Sequence, residues 1–524
     1  MSDKKIVALQ SALYSAADAL RAKMDANDYK DYLLGIIFYK YLSDQELYLI
    51  ADLKEKPNIS LKQAQELFES EPNLYKQVKS KLGYSIVSED TFTNMINKIA
   101  QENFKISDLE MAIHKISNDN QQLAGLFQDV RLDSPRLGPT AIKRAATIAQ
   151  VLQTLAPLEI VKTKGDTLGD AYEYLIGQFA SEVGKKSGEF YTPQKISELL
   201  TKLALIDQDP DKKLSVYDPA MGSGSLLLNF KKYFAAPEKV AYYGQEINIS
   251  TFNLAKMNMI LHGVSYEQPH LHNGDTLEKD WPPQNFNAVV MNPPYSLKWS
   301  ADNEYLKDPR FKQFGVLAPK SKADYAFLLH GFYHLKDNGT LAIVLPTGVL
   351  FRQAAEGKIR KQLLEMGAID AVIELPVNLF YNTTIPTVVL VLKKKKQNRD
   401  VMFIDASREF QKEKKQNYLR EKDIQHILTT YRKHENIDGY AHLASFDEIK
   451  DNGFNLNLHR YVDTFETQED INLSDLAGEL KEVDQQINAK QTELVGLLKK
   501  YHSKDAKTMK GLNDIIEELE RELK

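Results

Sequence analysis

Asn292-Pro293-Pro294-Tyr295 stands directly after the apolar run Ala288 to Met291 and carries the sharpest chemical signal in the chain. Two prolines fix an extended turn and remove two N–H donors, so the local polarity is set by outward carbonyls and by the Asn side chain. Such acceptors take hydrogen bonds from a planar amino group. Drawing both amine protons into acceptors weakens the conjugation of the lone pair with its ring, and the nitrogen can then attack a methyl sulfonium in line. Tyr295 offers a face on which an extruded base can stack.

Three further features point to a place for the group that is attacked. Asp218 to Leu228 reads DPAMGSGSLLL, after an apolar run and before a helical pattern. Gly222 and Gly224 permit a tight turn whose backbone approaches a ligand, and the helix start beyond it favours a negative group such as a carboxylate. A plain strand-to-helix turn explains the two glycines equally well. Glu246 lies 22 positions after Gly224, close to the spacing at which an acid accepts ribose hydroxyls in dinucleotide folds. Asp275, in HNGDTL, suits an acceptor for an exocyclic amine such as that of adenine; an Asx-turn is its bland alternative.

Other patterns dissolve on inspection. Gly184-Lys185-Lys186-Ser187 is similar to a phosphate loop, but Phe179 replaces its first Gly and Lys186 its Ser or Thr, so ATP hydrolysis is not expected. His330 and His334 are four apart, with Gly331 where a zinc protease has Glu, which leaves a packing or solvated pair. No metal is expected, because direct amine attack on a sulfonium needs none. Lys393 to Lys396 follows a run read as an edge strand, where lysines block unwanted pairing.

The elements that must hold these residues alternate short apolar runs with helical segments between about Val161 and Asp405, the pattern of a mostly parallel sheet with covering helices. Expected strands are Leu214 to Tyr217, Val240 to Gly244, Ala288 to Met291, Thr340 to Leu345, Ala371 to Leu375 and Thr387 to Leu392. Before them, Leu9, Leu13, Ala16, Leu20 and Met24 form a helical stripe, and Tyr32 to Leu42 is apolar nearly all round, as in a buried helix. At the other end Leu476, Leu480, Val483, Ile487, Leu494, Leu497 and Tyr501 recur by threes, fours and one seven, followed by Leu512, Ile516, Leu519 and Leu523. These suit an antiparallel helical pair or a seam for another helix. The segment Ser296 to Lys322, with Lys298, Trp299, Arg310 and Lys320, is long and polar. It reads either as a loop that orders over a flipped base or as a surface excursion.

Composition narrows the classes. With no cysteine in 524 residues, disulfides, thiolate metal sites and covalent C5-cytosine methylation are excluded. A net charge of −5 argues against holding DNA by bulk charge alone. Apolar runs stop short of a membrane helix: Thr340 to Phe351 is split by Pro346 and Gly348. A cytoplasmic protein is expected.

Four segments together resemble one family. MDANDYKDYLLGIIFYKYLSD (24–44) is similar to its N-terminal helical domain, and LGDAYEYLIGQFASEVGKKSGEFYTP (168–193) to the entry of its catalytic domain. DPAMGSGS and NPPY match its methyltransferase motifs, and FNLNLHRYVDTFE (454–466) its stretch before the C-terminal helices. The family is the modification (M, methyltransferase) subunit of type I restriction-modification systems, gamma-type N6-adenine DNA methyltransferases. The resemblance implies an α/β fold, a Rossmann-like S-adenosylmethionine-dependent core with an N-terminal all-α domain and C-terminal helices. The implied domains are 1–160 (helical), 161–469 (methyltransferase) and 470–524 (helical, partner-binding).

Carried over, Glu189, Phe190, Tyr191, Thr192, Pro193 and Gln194, with Asp218, Pro219, Ala220, Met221, Gly222, Ser223, Gly224 and Ser225, would embrace the methionine part of S-adenosylmethionine. Glu246 would hold its ribose and Asp275 its adenine, while Asn292, Pro293, Pro294 and Tyr295 would hold the target base. N6-adenine rather than N4-cytosine follows from the resemblance and not from the tetrapeptide. Implied partners are double-stranded DNA, a specificity (S) subunit bound by two M chains, and a restriction/translocase (R) subunit. Only 132 residues follow Leu392, which leaves little room for a DNA-reading domain here. The rival is a self-sufficient NPPY-type enzyme acting on DNA, RNA or protein glutamine.

Overall fold

The computed structural model describes residues 2–161, 167–182, 191–265, 269–380, 384–413, 416–463 and 473–523. The chain divides into two compact units, 1–463 and 464–524.

The first unit begins with helices. Tyr32 to Leu42 lies within helix Ala26–Leu53, and its Leu33, Ile36, Ile37, Phe38 and Leu42 are fully buried, as an all-round apolar helix requires. Leu13, Ala16, Leu20 and Met24 are buried too, although the backbone breaks between helices Ser2–Ser15 and Asp18–Arg21. Local signals set several starts: Ser60 forms a capping box with Gln63, and the Thr91 hydroxyl accepts the Asn94 N–H.

A nine-stranded sheet follows. Its strands are β1 Leu214–Asp218, β2 Val240–Glu246, β3 Pro269–Asn273, β4 Phe286–Met291, β5 Leu335–Pro346, β6 Ile369–Glu374, β7 Thr387–Lys393, β8 Val401–Asp405 and, after the two-stranded ribbon β9 Gln411–Lys412 and β10 Asn417–Tyr418, β11 Ala441–Ala444. The order is β3-β2-β1-β4-β5-β7-β6-β8-β11. Strands β1 to β5 pair parallel, β7 runs antiparallel between β5 and β6, and β11 is antiparallel to β8. The chain steps outward from β1 to β2 and β3, then returns to β4 on the other side. A crevice therefore opens at the carboxyl ends of β1 and β4, where sheets of this type bind ligands.

Alternation sorts the side chains by face. Val289, Met291, Leu341, Ile343 and Leu345 join one core with helices Asp324–Tyr333 and Ala354–Glu365. Ala288, Val290, Ala342 and Val344 join the other with helices Gln194–Leu205 and Ser225–Tyr233. Helix Ile249–Leu261 belongs to two cores: Ala255 and Met259 pack on the sheet, whereas Leu254, Met257 and Leu261 pack among the N-terminal helices. The six expected strands are present, and β3, β8 and β11 are additional.

One expectation is overturned. Strand β7 has β5 on one side and β6 on the other, so the lysines after it do not guard an edge. Lys393 and Lys396 pair with the buried Asp370 instead, at 3.1 and 3.0 Å, and Lys393 also lies 2.8 Å from the half-exposed Asp207.

The second unit contains helices Leu473–Leu498 and Ala506–Glu522. Val495 and Ile516 are buried, and Gln491 bonds Glu522. Leu476, Leu480, Val483 and Ile487 of the expected stripe remain 42 to 58% exposed.

Candidate active site

Strand β1 ends at Asp218, and the turn to helix Ser225–Tyr233 passes through Gly222 (φ +53°) and Gly224 (φ +78°). Both angles lie where a Cβ is costly, which accounts for the two glycines. The turn is pinned to β2 by Met221 N–H donating to the Gln245 carbonyl at 3.0 Å. Asp218 is 1% exposed and accepts from the Ala220 N–H at 2.9 Å. Burial, with Glu246 nearby, pushes its carboxyl up to about 8.

Glu246, the last residue of β2, accepts the Gly222 N–H at 3.1 Å and the Asn248 N–H at 2.8 Å. Each carboxylate oxygen keeps a lone pair for a hydroxyl, and burial raises this carboxyl as well. Asp275 lies just beyond β3. Its Oδ1 accepts the Leu277 N–H at 2.8 Å, so the Asx-turn exists, yet Oδ2 stays available for a ligand amine. The Thr276 hydroxyl donates to the Pro219 carbonyl at 2.5 Å, tying this turn to the one after β1.

Asn292 follows β4. Its Nδ2 donates to the Thr192 hydroxyl at 3.2 Å, and its Oδ1 accepts from the Tyr295 hydroxyl at 2.7 Å. The amide is thus oriented from both ends, with one Oδ1 lone pair left. Burial keeps the Tyr295 hydroxyl far above its ordinary range and so protonated. Its ring meets Phe380 edge-on at 6.0 Å. Behind the tetrapeptide the Ser296 N–H donates to Asp324 at 2.8 Å, and Arg352 braces Asp324 at 3.0 Å.

These elements converge. Tyr191, Thr192, Asp218, Ala220, Met221, Gly222, Ser223, Ser225, Leu226 and Asn292 line one cleft. Glu246 joins it through Gly222, and Asp275 through Thr276 and Pro219. Gln194 points elsewhere: its amide bonds the buried carboxylate of Glu173. Glu189 and Phe190, like Gly184 to Ser187, lie outside the described residues. A more spacious cavity, bordered by Tyr174, Asn229, Lys232 and Tyr418, shares only Tyr191 with the cleft. None of the strand ends that carry Asp218, Glu246 or Asn292 border it, so the chemistry belongs to the smaller cleft.

Sequence reasoning assigned no role to three supports. Glu173 is buried, takes hydrogen bonds from the amides of Gln194 and Asn258, and has its carboxyl raised by that burial. Asn258 bonds both Glu173 at 3.4 Å and the Ser223 carbonyl at 3.0 Å, linking helix Thr167–Glu182 to the glycine turn. Asp324 is the third. Glu173 sits among Tyr172, Leu175 and Ile176, and an acid on an apolar helix face was the available signal.

His330 and His334 are buried rather than solvated. With Asp280 they place possible metal ligands within 4.8 Å of one another among the described residues. The ring nitrogens of His330, however, face the Tyr217 hydroxyl at 2.9 Å and the Arg310 guanidinium at 3.1 Å. Burial, His334 and Arg310 hold its pKa well below the ordinary value. A cation beside Arg310 would be repelled, and the group reads as packing. Arg310, from the polar segment Ser296 to Lys322, is itself 1% exposed.

Comparison with known proteins agrees with this geometry. Residues 163–470 match the N-6 DNA methylase family model, and residues 9–155 match the HsdM N-terminal domain. The methylase subunit of the type I restriction enzyme MpnII from Mycoplasma pneumoniae is 36% identical over 91% of this chain and 93% of its own. The MjaVII methylase subunit from Methanocaldococcus jannaschii is 31% identical over 92% of this chain and 82% of its own. The crystal structure of a type I restriction-modification methyltransferase subunit from Streptococcus thermophilus superposes with a TM-score of 0.86 at 53% identity, covering 88% of this chain and all of that one. No helix among the described residues is long and apolar enough to cross a membrane. The chain belongs to the N-6 DNA methylase family, among the methylase subunits of type I restriction enzymes.

Proposed function

We propose that this chain transfers a methyl group from S-adenosylmethionine to N6 of an adenine turned out of duplex DNA. The observation that carries the reading is the cleft that sets Asn292 against the Asp218 to Ser225 turn. The donor set fits the cofactor. Asp218 and its turn receive the methionine end, Glu246 the ribose hydroxyls and Asp275 the adenine amine, with Tyr191, Thr192 and Pro193 closing the side toward the target. The family resemblance adds Glu189 and Phe190 to the cofactor-binding set, and Gln194 supports it through Glu173. When bound, the cofactor supplies an electrophilic methyl.

The Asn292 oxygen and a carbonyl of the Pro293-Pro294 turn accept the two amine protons of the target. The nitrogen lone pair then attacks the methyl carbon, the carbon–sulfur bond breaks, and the extra proton leaves to solvent. Tyr295 has two tasks: its hydroxyl aims the Asn292 amide, and its ring supports the base. Cooperation with DNA, a specificity subunit and a restriction subunit is the working context, two copies of this chain serving each specificity subunit in the cytoplasm. The uncovered stripe Leu476 to Ile487 supports residues 470–524 as the surface for a partner helix. Helices 1–160 and the sheet-bearing 161–469 form the other two domains. A self-sufficient enzyme for RNA or protein glutamine is not favoured by any relative.

The test is methyl transfer from labelled S-adenosylmethionine to unmodified genomic DNA, with nucleoside analysis. N6-methyladenine is expected when the specificity subunit is present. Methylcytosine, or equal turnover by the lone chain, overturns the reading in chemistry or in partnership respectively.

A further inference from the structure

Arg310 comes from the segment after the tetrapeptide, and that segment is closed at its neck. The Ala323 N–H donates to the Leu297 carbonyl at 2.9 Å and the Trp299 N–H to the Lys320 carbonyl at 3.1 Å. Trp299, Phe311 and Phe314 fill the interior, so the excursion is a closed loop with a core of its own. From inside it the guanidinium reaches outward. Nη1 donates to the Thr276 carbonyl at 2.7 Å and Nη2 to the Leu277 carbonyl at 3.0 Å, while Asp308 of the loop balances the charge.

The two carbonyls adjoin Asp275. The Leu277 N–H holds one Asp275 oxygen, and the Thr276 hydroxyl holds Pro219 of the glycine turn. On its other side Arg310 meets His330, on the helix whose Asp324 anchors Ser296. One side chain thus joins the loop beside the target base to the far end of the cofactor cleft. An apolar residue would pack the loop without the cost of desolvating a full charge. What only the planar fork supplies is a fixed direction for two successive carbonyls, and through them for the Asp275 carboxylate.

We propose that Arg310 is a positioning residue: it aims Asp275 at the exocyclic amine of the cofactor's adenine and couples that subsite to the closed loop 296–323. The inference rests on the Asp275 assignment above. It has two consequences. Discrimination for an amino purine depends on Arg310, and cofactor occupancy stiffens the loop, with the reciprocal effect required by linkage.

The experiment uses the full chain and two probes, S-adenosylhomocysteine and S-inosylhomocysteine, in which the ring amine is replaced by oxygen. Calorimetric titration of the parent chain is expected to favour the adenosyl compound by about tenfold or more, the order of one well-placed hydrogen bond. Arg310→Lys keeps the charge and loses the fork. It should cut that preference below about threefold while changing affinity for the inosyl compound less than about twofold. Equal weakening of both probes, or an unchanged ratio, overturns the positioning role. Asp275→Asn separates the premise from the inference: an intact preference in that variant overturns the Asp275 assignment itself.

Hydrogen exchange supplies the second readout. S-adenosylhomocysteine should slow exchange of amides in 296–323 in the parent and not in Arg310→Lys; no slowing in the parent overturns the coupling. Asp308→Asn, which leaves the guanidinium in place, should keep the adenine preference and lose loop protection. It serves as the independent variant if Arg310→Lys does not fold.

Discussion

Among the N-terminal helices Asp44 lies 2.6 Å from Lys40, both about 1% exposed, and Glu46 accepts the Ile86 N–H at 2.9 Å and the Ser85 hydroxyl. In the cleft Asp218 is buried as deeply, and the donor it meets is the Ala220 N–H. Burial pushes Asp44 up to about 6, and Glu46 and Asp218 up to about 8. The same desolvation therefore serves two ends. In the helical region Asp44 has a cation and Glu46 two donors from the chain itself, and both specify packing; in the cleft Asp218 has a single backbone donor and faces a ligand site. Substitutions in the first region should move stability and spare binding, and substitutions in the second should do the reverse.

The hardest test of that contrast is Asp44→Ala. It leaves the Lys40 ammonium buried without its partner, and breaking a buried pair costs about 3–5 kcal/mol. The denaturant midpoint should fall accordingly, while the folded fraction binds S-adenosylhomocysteine with unchanged affinity. A loss of affinity equal to the loss of stability would erase the distinction.

Asn292→Ala should show the opposite profile. Removing one preorganised group that stabilises developing charge costs about 10²–10³ in rate, read as transfer of labelled methyl in the assembled enzyme. Unfolding midpoint and cofactor affinity should stay near those of the parent, because the neighbours left behind, Thr192 and Tyr295, are hydroxyls that water can satisfy.

How far such roles were legible in the chain depended on whether their causes are local. The tetrapeptide, the DPAMGSGS turn and Glu246 each sit at the carboxyl end of a strand whose apolar run is plain, and the structure brings them to one cleft. Strand β3 was missed because PHLHN pairs on one side only and buries little, so it has no hydrophobic alternation to read. The edge assignment of β7 failed for a different reason. TVVLVLK is apolar throughout, which says that it is a strand but not which strands flank it, and its antiparallel insertion between β5 and β6 is a property of topology. Glu173, Asn258 and Asp324 gained their tasks from contacts between distant segments, and Arg310 is buried because its guanidinium reaches the Thr276 and Leu277 carbonyls and His330. Composition and periodicity carry none of that information.

A smaller effect tests the cleft by protons. With its pKa about 8, Asp218 is mostly protonated at pH 7 in the free chain. The cationic methionine end of the cofactor favours the carboxylate, so binding should release a proton and tighten as pH rises from 6 to 8, by up to about tenfold per unit. Titration heats at pH 7 should then vary with the ionisation enthalpy of the buffer. Asp218→Asn should abolish the dependence; heats independent of buffer in the parent would show that Asp218 gives up no proton on binding.

The last effect concerns Glu46, and its sign separates the two regions. Its folded pKa, about 8, lies above the ordinary 4.5. Between those values the unfolded chain has lost the proton that the folded chain keeps, so the folded state binds more protons and stability must fall as pH rises. Below about 4.5 both states are protonated and the contribution is complete; above about 8 it is gone. The slope is at most about 1.4 kcal/mol per pH unit. Glu46→Gln retains an acceptor for the Ile86 N–H and cannot ionise, so it should flatten that part of the decline in unfolding midpoint between pH 5 and pH 8. Saturating S-adenosylhomocysteine should leave the Glu46 share of the slope untouched and diminish the share of Asp218, since only the cleft acid gains a cation from the ligand. A ligand that flattens the parent and the Glu46→Gln variant by different amounts would show the two acids to be coupled, and the separation of packing from binding would not hold.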